Sequence, residues 1–365
     1  MGPGVSIIVL NYNGKRYLRR CIDALRAQSF ADFEIVLVDN ASRDGSVAFL
    51  RERYANEVRS GKLRIVQNRK NAGFAQGNNI GWKAAKGALV VLLNNDTRPH
   101  RHWLRELVQT MNDHPEIMVC GSAYYDAGKR EQWREMFLTR KTGVSMSLAG
   151  EAVPARRETI GEPHLISAFF VSGNGVMLRH EDFDRPFFAP YFAYAEDTYL
   201  GWLAHVRGGR VAYDLKAQME HLGAGTKRTA PKFFTDDLLF HGSKNQLMNP
   251  LIFYEWWTLV RALPLITLAQ IGHVVDNPRK IWIKALASWW VLTHIRTILR
   301  ERRRVQAMRR VPDREVVARM SGLFFDEHLA QELYRGSHRT AIRALNVLSR
   351  RYCRLVRLRM QDLER

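Results

Sequence analysis

Four short apolar runs in the first hundred residues constrain the fold of this chain more than any other feature. They occupy residues 5–10 (VSIIVL), 34–38 (EIVLV), 63–67 (LRIVQ) and 88–93 (ALVVLL), and stretches with helical spacing lie between them. Apolar runs of this length are typical of strands that are buried on both faces of a sheet. Their alternation with helices predicts an α/β fold with a mostly parallel sheet.

Acidic residues follow two of these strands at the point where each strand ends. Asp39 comes directly after the second run, and Asp96 follows the fourth run as the last residue of Asn94-Asn95-Asp96. Ligands of open parallel sheets bind at the carboxyl ends of the strands. Asp39 can therefore hydrogen-bond a base or a ribose, although helix capping by Asp39 or Ser42 is an equally good explanation. Asp96 is suitably placed to bind a hard divalent cation through oxygen.

A glycine-rich segment precedes the fourth run. Residues 71–81 read NAGFAQGNNIG, and glycines allow backbone amides to approach a ligand closely. A simple turn that enters a helix is the alternative, and for such a segment taken alone it is the commoner case. The segment is not a P-loop, because the terminal Gly-Lys-Ser/Thr is absent.

Two adjacent carboxylates, Glu196-Asp197, begin a predicted helix over residues 195–207. They either stabilise the helix dipole or supply a general base. His221 lies further along and is either an ordinary core or surface histidine or a metal ligand. Before the carboxylates, residues 124–163 lack a clear period and are interpreted as a variable insertion or excursion. Residues 167–178 return to strand character, with a predicted turn at Gly173-Asn174-Gly175.

The chain beyond residue 231 is predicted to be helical throughout, and it is strongly basic. The whole chain has 56 Lys and Arg against 36 Asp and Glu, and residues 271–365 contain 21 basic and 9 acidic residues. This excess indicates a polyanionic partner, either nucleic acid or an anionic membrane surface. No helix-turn-helix, zinc-finger or RNA-recognition signature is present, so we expect no nucleic-acid partner.

Tryptophan-rich segments in the same region favour a membrane surface. Residues 251–257 (LIFYEWW) and Trp289-Trp290 combine aromatic and aliphatic side chains as interfacial segments do. The arginines that follow are Arg300, Arg302, Arg303, Arg304, Arg309 and Arg310. A packed core with solvated arginines is the alternative. Charged residues interrupt residues 251–275 and 281–299, so neither stretch is a clean membrane span.

The cysteines and the N-terminus bear on the compartment. Three cysteines lie far apart in the sequence, which argues against a disulfide framework or a zinc site. No basic segment followed by an apolar stretch marks a signal peptide near Met1. We therefore expect a cytoplasmic protein that associates peripherally with the cytoplasmic face of the plasma membrane.

Seven motifs in order resemble the family 2 glycosyltransferases of the GT-A fold. They extend from Val5 to Thr226 and read VSIIVLNYNG, EIVLVDNASRDGS, NAGFAQGNNIG, VVLLNNDT, SGNGVMLR, AEDTYLGW and EHLGAGT. Within that family the chain is most similar to the rhamnosyltransferase-like branch that builds bacterial surface polysaccharides. The resemblance implies a GT-A fold, Rossmann-like with a mostly parallel sheet and flanking helices, followed by a helical C-terminal region.

The resemblance also implies a role for each motif. The residues that would contact the nucleotide sugar are Asn11, Asn13, Asp39, Gly73, Phe74, Asn78, Asn94 and Asn95. Asp96 matches the metal-binding acid of the family, and His221 matches a position that can complete the metal shell. Asp197 matches the catalytic base, and Glu196 beside it would position the acceptor.

The implied activity is inverting sugar transfer assisted by Mg²⁺ or Mn²⁺. The resemblance favours dTDP-rhamnose as donor and a lipid-linked saccharide as acceptor. A UDP-linked hexose or N-acetylhexosamine is the alternative donor, and a non-catalytic nucleotide-binding scaffold is the alternative function. Tyr199 and, approximately, Trp202 stand where many relatives have an acid and an arginine, which indicates a different acceptor pocket.

Three regions are predicted from this reading. Residues 1–97 would form the nucleotide-sugar-binding half of the GT-A domain, and residues 98–230 would form its acceptor-binding half. Residues 231–365 would form a basic helical region that associates with the membrane.

Overall fold

The strands of the described residues form one ten-stranded mixed sheet and one hairpin. The computed structural model describes residues 2–128, 142–222, 236–276, 278–325 and 337–363. The strands are β1 Val5–Asn11, β2 Phe33–Asp39, β3 Leu63–Gln67, β4 Leu89–Asn94, β5 Thr97–Pro99, β6 Ile117–Asp126, β7 Thr142–Met146, β8 Ala152–Arg156, β9 Thr159–Ile160, β10 Glu162–Ser167, β11 Gly175–Arg179 and β12 Arg210–His221. The sheet order is β3-β2-β1-β4-β11-β6-β12-β10-β9, with β5 on β12, and β7 pairs with β8.

The four strands predicted at the start of the chain are confirmed as parallel neighbours. β1 pairs with β2 on one side and with β4 on the other, and β2 pairs with β3. Ile8 is fully buried in the core on one face of the sheet, whereas Ile7 and Val9 are buried in the core on the other face. Burial on both faces explains why these strands are continuous apolar runs. The carboxyl ends of β1, β2 and β4 consequently lie side by side.

The middle of the chain is more regular than its sequence pattern indicates. Residues 124–163 lack a clear apolar period, yet β6 reaches Asp126 and strands β7 to β9 follow in the described part. Residues 129–141 of that stretch lie outside the described residues. The turn predicted at residues 173–175 precedes β11, which begins at Gly175, whereas the strand character predicted from residue 167 is not found because β10 ends at Ser167. Both strands pair antiparallel within the sheet, which a local apolar pattern does not reveal.

Helices flank the sheet in the first part of the chain and dominate the last part. They are α1 Lys15–Arg26, α2 Ser46–Arg53, α3 Ala55–Arg59, α4 Gly73–Ala84, α5 Trp103–Asp113, α6 Glu196–Val206, α7 Asp236–Phe253, α8 Trp256–Asp276, α9 Ile281–Thr293, α10 Ile295–Ala307, α11 Asp313–Val317 and α12 Ser337–Leu355. The helix predicted over residues 195–207 is confirmed as α6. The chain after residue 235 is helical in its described parts, as predicted.

The C-terminal helices share a hydrophobic core with the sheet. Trp202 of α6 is stacked on Phe253 of α7, with ring centroids 5.2 Å apart and an interplanar angle of 5°. Tyr254, which follows α7, is fully buried and its hydroxyl donates to the Leu148 carbonyl at 2.8 Å. Residues 251–254 therefore pack as core, which was the alternative prediction for this part of the tryptophan-rich segment.

Helices α8 and α9 nevertheless expose apolar side chains. The exposed residues are Trp256, Trp257, Val260, Leu263 and Ile271 on α8, and Ile281, Trp282, Leu286, Trp289 and Leu292 on α9. They recur at helical spacing, so each helix has one apolar face turned away from the core. Within the described residues, none of the helices combines the length and apolarity needed to cross a bilayer.

The arginines of α10 and the following turn do not all face solvent. Arg302 is 6% exposed and donates to the carbonyls of Leu251 and Tyr254. Arg304 and Arg309 form ion pairs with carboxylates of the protein. Arg300, Arg303 and Arg310 are exposed. Three of the six arginines named with the tryptophan-rich segments therefore bind partners within the fold, and the other three are exposed.

Candidate active site

The carboxyl ends of β1, β2 and β4 carry a chain of hydrogen-bonded polar side chains. Asn11 Nδ2 donates to Asp39 Oδ1 and to Ser42 Oγ, each at 3.0 Å. Asn95 Nδ2 donates to Asn11 Oδ1 at 2.6 Å. Asp39 Oδ2 accepts from the Ser42 amide at 3.0 Å, so this carboxylate also caps the turn after β2. Asn11 and Asp39 are buried side by side in the parallel register.

Asn13 joins the loop after β1 to the loop after β2. It has a left-handed backbone (φ 51°), and its amide donates to Ser42 Oγ at 2.9 Å. Its Oδ1 accepts from the Arg43 amide at 2.8 Å. The structure thus brings Asn13 to the same edge of the sheet as Asn11, Asp39 and Asn95.

Asn40 is a site residue that the sequence reasoning missed. Its Nδ2 donates to the Gly73 carbonyl at 3.0 Å, and its Oδ1 accepts from Asn68 Nδ2 at 2.7 Å. Asn40 is buried and fixes the start of α4 against the end of β2. Its place directly after Asp39 was the only signal in the sequence that could have identified it.

The glycine-rich segment forms the start of α4. Gly73 has φ 77°, and a Cβ atom there would lie 2.5 Å from the Phe192 ring, so only glycine fits. Phe74 packs against Phe187 with ring centroids 5.9 Å apart. Asn78 is buried and donates to the Phe74 carbonyl within its own helix at 3.0 Å. Gly73 and Phe74 thus border the segment that leads to Glu196-Asp197, whereas the Asn78 amide is used within α4.

Asp96 and His221 meet where β5 pairs with β12. The antiparallel register places His221 opposite Thr97, and His221 Nε2 lies 3.3 Å from Asp96 Oδ2. Both side chains are about one-fifth exposed, at 21% and 22%. Asn94 forms no part of this pair, and its backbone amide donates to the Asn174 carbonyl at 3.1 Å. A carboxylate and an imidazole are suitable ligands for Mn²⁺, and they leave positions open for phosphate oxygens and water.

The pair alone does not enclose a cation. Among the described residues, no group of three or more His, Cys, Asp and Glu side chains is arranged to hold a metal ion. A divalent cation at Asp96 and His221 would therefore need oxygen ligands from a bound diphosphate, which is the usual arrangement for Mg²⁺ at substrate phosphates.

Glu196 and Asp197 form the first turn of α6, directly after three left-handed residues. Phe192, Tyr194 and Ala195 have φ values of 61°, 68° and 57°. Such conformations cost about 1–3 kcal/mol each and persist only where the surroundings impose them. Glu196 Oε2 is buried and has no hydrogen-bond partner among the described residues. Buried polar atoms are normally hydrogen-bonded, so this carboxylate oxygen is free to interact with a substrate group.

Burial perturbs both carboxylates. Desolvation raises the pKa of Asp197 to about 6. The hydrogen bond that Asp197 Oδ1 accepts from the Thr198 amide at 2.8 Å lowers this pKa but does not offset the effect of burial. Desolvation, and then the charge of Asp197, raise the pKa of Glu196 to about 8. Asp197 consequently loses its proton first and is the ionised member of the pair near neutral pH. A carboxylate with a pKa near the working pH is an effective general base.

Tyr124, which was not predicted from the sequence, interacts with His221 and with the charge of Asp197. Burial, and in smaller part the charges of Asp197 and Asp126, raise its pKa. Its ring lies edge-on to the imidazole of His221, with centroids 6.1 Å apart. Tyr124 thus packs against the Asp96–His221 pair and is near enough to Asp197 to feel its charge, although Asp96 and Asp197 are 101 residues apart in the sequence.

Tyr199 and Trp202, the two departures from the family pattern, turn away from this site. The Tyr199 hydroxyl donates to Glu301 Oε1 at 2.5 Å and accepts from Arg304 Nη2 at 2.7 Å. Trp202 is fully buried against Phe253. Both positions therefore anchor α6 to the C-terminal helices.

A sequence comparison agrees with this geometry. The model for glycosyl transferase family 2 matches residues 6–183. Just under half of the chain is therefore similar to glycosyl transferase family 2. The matched segment contains the strand ends, the start of α4 and Asp96, and it ends before Glu196 and Asp197, whose roles stay predictions.

Relatives match between a third and two fifths of the chain. The putative glycosyltransferase EpsH of Bacillus subtilis is 28% identical over 129 residues, which are 35% of this chain and 36% of that protein. Glycosyltransferase AglE of Haloferax volcanii is 28% identical over 153 residues, which are 40% of this chain and 48% of that protein. The chain thus spans less than half the length of these relatives.

Solved structures extend the likeness of fold to most of the chain. TarS 1–349 of S. aureus with UDP has a TM-score of 0.52 at 18% identity and covers 97% of this chain and 92% of its own. A mannosyltransferase of Pyrobaculum calidifontis with GDP-Man and Mn²⁺ has a TM-score of 0.51 at 17% identity, covering 96% and 86%. GalNAc-T7 with UDP, GalNAc and Mn²⁺ has a TM-score of 0.56 at 13% identity, covering 73% and 50%. The fold is the predicted GT-A arrangement followed by helices.

Proposed function

We propose that this protein is an inverting glycosyltransferase that moves a sugar from a nucleoside diphosphate to a hydroxyl of its acceptor. The observation that carries the proposal is Asp197, a half-buried carboxylate at the start of α6 with a pKa raised to about 6. Its charge helps to raise the pKa of Tyr124, whose ring packs edge-on against His221 of the Asp96–His221 pair. A base next to a candidate cation site is what displacement of a diphosphate by a hydroxyl requires.

In this mechanism Asp197 accepts the proton of the acceptor hydroxyl as its oxygen attacks the anomeric carbon. The bond from that carbon to the diphosphate oxygen breaks on the opposite face, and the diphosphate leaves with the electron pair. Glu196, protonated at neutral pH, can donate a hydrogen bond to the acceptor through its unpartnered Oε2. The strand-end residues Asn11 and Asp39 would hold the nucleoside.

Asp96 and His221 would hold Mg²⁺ or Mn²⁺ in this scheme. The cation, when bound, neutralises negative charge that develops on the leaving diphosphate. Removal of divalent cations with a chelator should abolish turnover, and Mn²⁺ or Mg²⁺ should restore it. Asp96→Ala should stay inactive after metal addition, whereas His221→Ala should need a higher metal concentration. Full activity in chelator would contradict the cation site.

We propose dTDP-rhamnose as the donor and a lipid-linked saccharide of surface-polysaccharide synthesis as the acceptor. The order of the seven motifs supports this choice. The UDP complexes of TarS and GalNAc-T7 favour a UDP-linked hexose or N-acetylhexosamine as the second candidate.

A panel of dTDP-, UDP- and GDP-sugars with Mn²⁺ tests the donor. Each ligand that binds the native state raises the melting temperature by mass action, and product formation then identifies the sugar that is transferred. Stabilisation without turnover for every donor and acceptor would favour the non-catalytic scaffold. A clear preference for UDP-sugars would overturn dTDP-rhamnose.

The apolar faces of α8 and α9 support the further proposal that the protein lies on the cytoplasmic face of an anionic membrane. Trp257 and Trp289 are 77% and 63% exposed. Leaving such aromatic faces in water is unfavourable, and faces of this kind mark interaction sites. The exposed Arg279 and Arg296 stand just before and after α9, where they can pair with lipid phosphates. A lipid-linked acceptor would lie in the same plane.

Flotation with vesicles tests this surface. The protein should float with phosphatidylglycerol vesicles and less well with phosphatidylcholine vesicles. The double variant Trp257→Glu/Trp289→Glu should stay in the dense fraction. Tyr12→Glu, which changes an exposed aromatic after β1, should float like the wild type. Flotation of the double variant at the wild-type level would overturn the membrane surface.

A further inference from the structure

The segment before the carboxylate pair adopts a backbone that its own residues disfavour. Phe192, Tyr194 and Ala195 are left-handed, although each has a Cβ atom that clashes in this region of conformational space. This backbone directs the first turn of α6, and with it Glu196 and Asp197. Contacts from outside the segment must therefore hold it in place.

The principal contact comes from Asn245 of α7. Its Nδ2 faces three backbone carbonyls, those of Tyr191, Ala193 and Tyr194, at 3.0, 2.9 and 2.6 Å. An amide nitrogen carries only two protons, so these carbonyls share them. Asn245 is completely buried, which excludes water as a substitute donor. One side chain thus gathers the carbonyls of the left-handed segment.

Two neighbours on α7 fix the position of Asn245. Lys244 Nζ donates to Asn245 Oδ1 at 2.7 Å, which directs the amide nitrogen towards the carbonyls, and to the Pro190 carbonyl at 2.5 Å. One turn later, Asn249 Nδ2 donates to Thr198 Oγ1 at 2.9 Å. Thr198 Oγ1 itself donates to the Ala195 carbonyl at 2.7 Å, so α7 holds both sides of the carboxylate pair.

We propose that Asn245 is a positioning residue for the transfer reaction, supported by Lys244 and Asn249. This inference rests on the proposed function, because it requires Asp197 to be the base. Asn245 touches no substrate. It holds the left-handed segment so that Asp197 points at the acceptor, and α7 thereby makes the helical region a part of the catalytic machinery.

Asn245→Asp tests the proposal with an almost isosteric change. The variant places a second oxygen against the three carbonyls and removes both N–H donors. We expect kcat to fall by about 10²-fold, as small misplacements of a catalytic group do, while the donor KM changes less than about twofold. Backbone amides of residues 191–199 should also exchange hydrogen faster than in the wild type, at a temperature where both proteins are folded.

Asn346→Asp is the matched control. Asn346 is 2% exposed, and its Oδ1 accepts from the Phe324 and Phe325 amides. This variant should lose thermal stability without a change in kcat or in exchange at residues 191–199. If Asn245→Asp does not fold, Lys244→Gln takes its place, with the same split between kcat and KM expected.

Two outcomes separate this inference from the proposed function. Wild-type protein that transfers no sugar from any donor contradicts the proposed function. An active wild type whose Asn245→Asp variant keeps its kcat, or loses no more than Asn346→Asp does, overturns the positioning role alone.

Discussion

The first hundred residues and the C-terminal helices place charged and apolar side chains in opposite ways. In the first region the strands are apolar and buried, and polar residues such as Asp39 stand at the strand ends. In the second region Glu301, Arg302 and Asp313 are at most 6% exposed, whereas Trp257 is 77% exposed. The sheet thus follows the ordinary rule that apolar residues lie inside, and the helical region departs from it in both directions.

The buried charges of the helical region have specific partners. Glu301 accepts from the Tyr199 hydroxyl and pairs with Arg185 and Arg304. Buried charges are tolerated only when they are paired, so these contacts make the packing of α10 against α6 specific. Of the exposed tryptophans, Trp256 lies against the Arg302 guanidinium, 3.9 Å from its ring centroid, whereas Trp257 and Trp289 have no such ring contact within the described residues. The comparison teaches that the helical region uses polar contacts to join α6 and leaves apolar faces exposed.

Asp197→Asn should have the largest effect on activity, and it tests the carboxylate that the C-terminal helices help to position. The amide cannot accept the acceptor proton, and loss of a general base typically lowers the rate by about 10²–10⁴-fold. Because the fold raises the pKa of Asp197 from 3.8 to about 6, native-state stability falls as the pH rises through this range, and the full cost is present above about pH 6. Asp197→Asn should therefore melt no lower than the wild type at pH 7.5. Steady-state kinetics and calorimetry check both parts, and near-normal turnover would rule out this base.

Glu301→Gln probes the buried charge that joins α10 to α6. It leaves Arg185 without its carboxylate partner, and we expect the free energy of unfolding to fall by about 1–3 kcal/mol. Glu162→Gln is the control, because the Lys216–Glu162 pair is half exposed at 3.8 Å. That change should cost less than about 1 kcal/mol. Equal losses in urea denaturation would mean that α10 is not held to α6 by this charge.

The pH dependence of kcat/KM provides a smaller but direct measure of the carboxylate pair. Asp197 must be ionised to accept a proton, so activity should rise with pH through about 6, where burial has raised its pKa. Glu196→Gln should keep this acidic limb, because Glu196 is still protonated when Asp197 titrates. A limb near pH 4 in the wild type would mean that Asp197 is not desolvated in solution.

Replacement of an exposed tryptophan should have the smallest effect on stability, and replacement of a buried tryptophan provides the comparison. Trp257→Ala should change the free energy of unfolding by less than about 0.5 kcal/mol, as surface substitutions do. Trp202→Ala removes a fully buried ring and should cost about 3–5 kcal/mol. A large loss for Trp257→Ala would mean that its side chain packs inside the fold.

Much of the fold could be predicted from the sequence, because the information was local. The strand over residues 63–67 is found at its predicted bounds, and the other three early strands are found within one residue at either end. The end of β10 at Ser167 and the antiparallel pairing of β10 and β11 could not be predicted, since both strands pair with partners distant in the sequence. The polar residues at the strand ends were identifiable because parallel strands place their carboxyl ends together.

The sequence by itself determined the α/β class, the family resemblance, and Asp39, Asp96 and Asp197 as candidate site residues. Periodic apolar runs and short motifs are properties of neighbouring residues, so they survive without any knowledge of packing. Only the tertiary structure decided that Asn40 and Asn245 fix the site, and that Arg302 lies inside the fold. These roles depend on contacts across 33 to 54 residues of sequence, and such contacts exist only once the chain has folded.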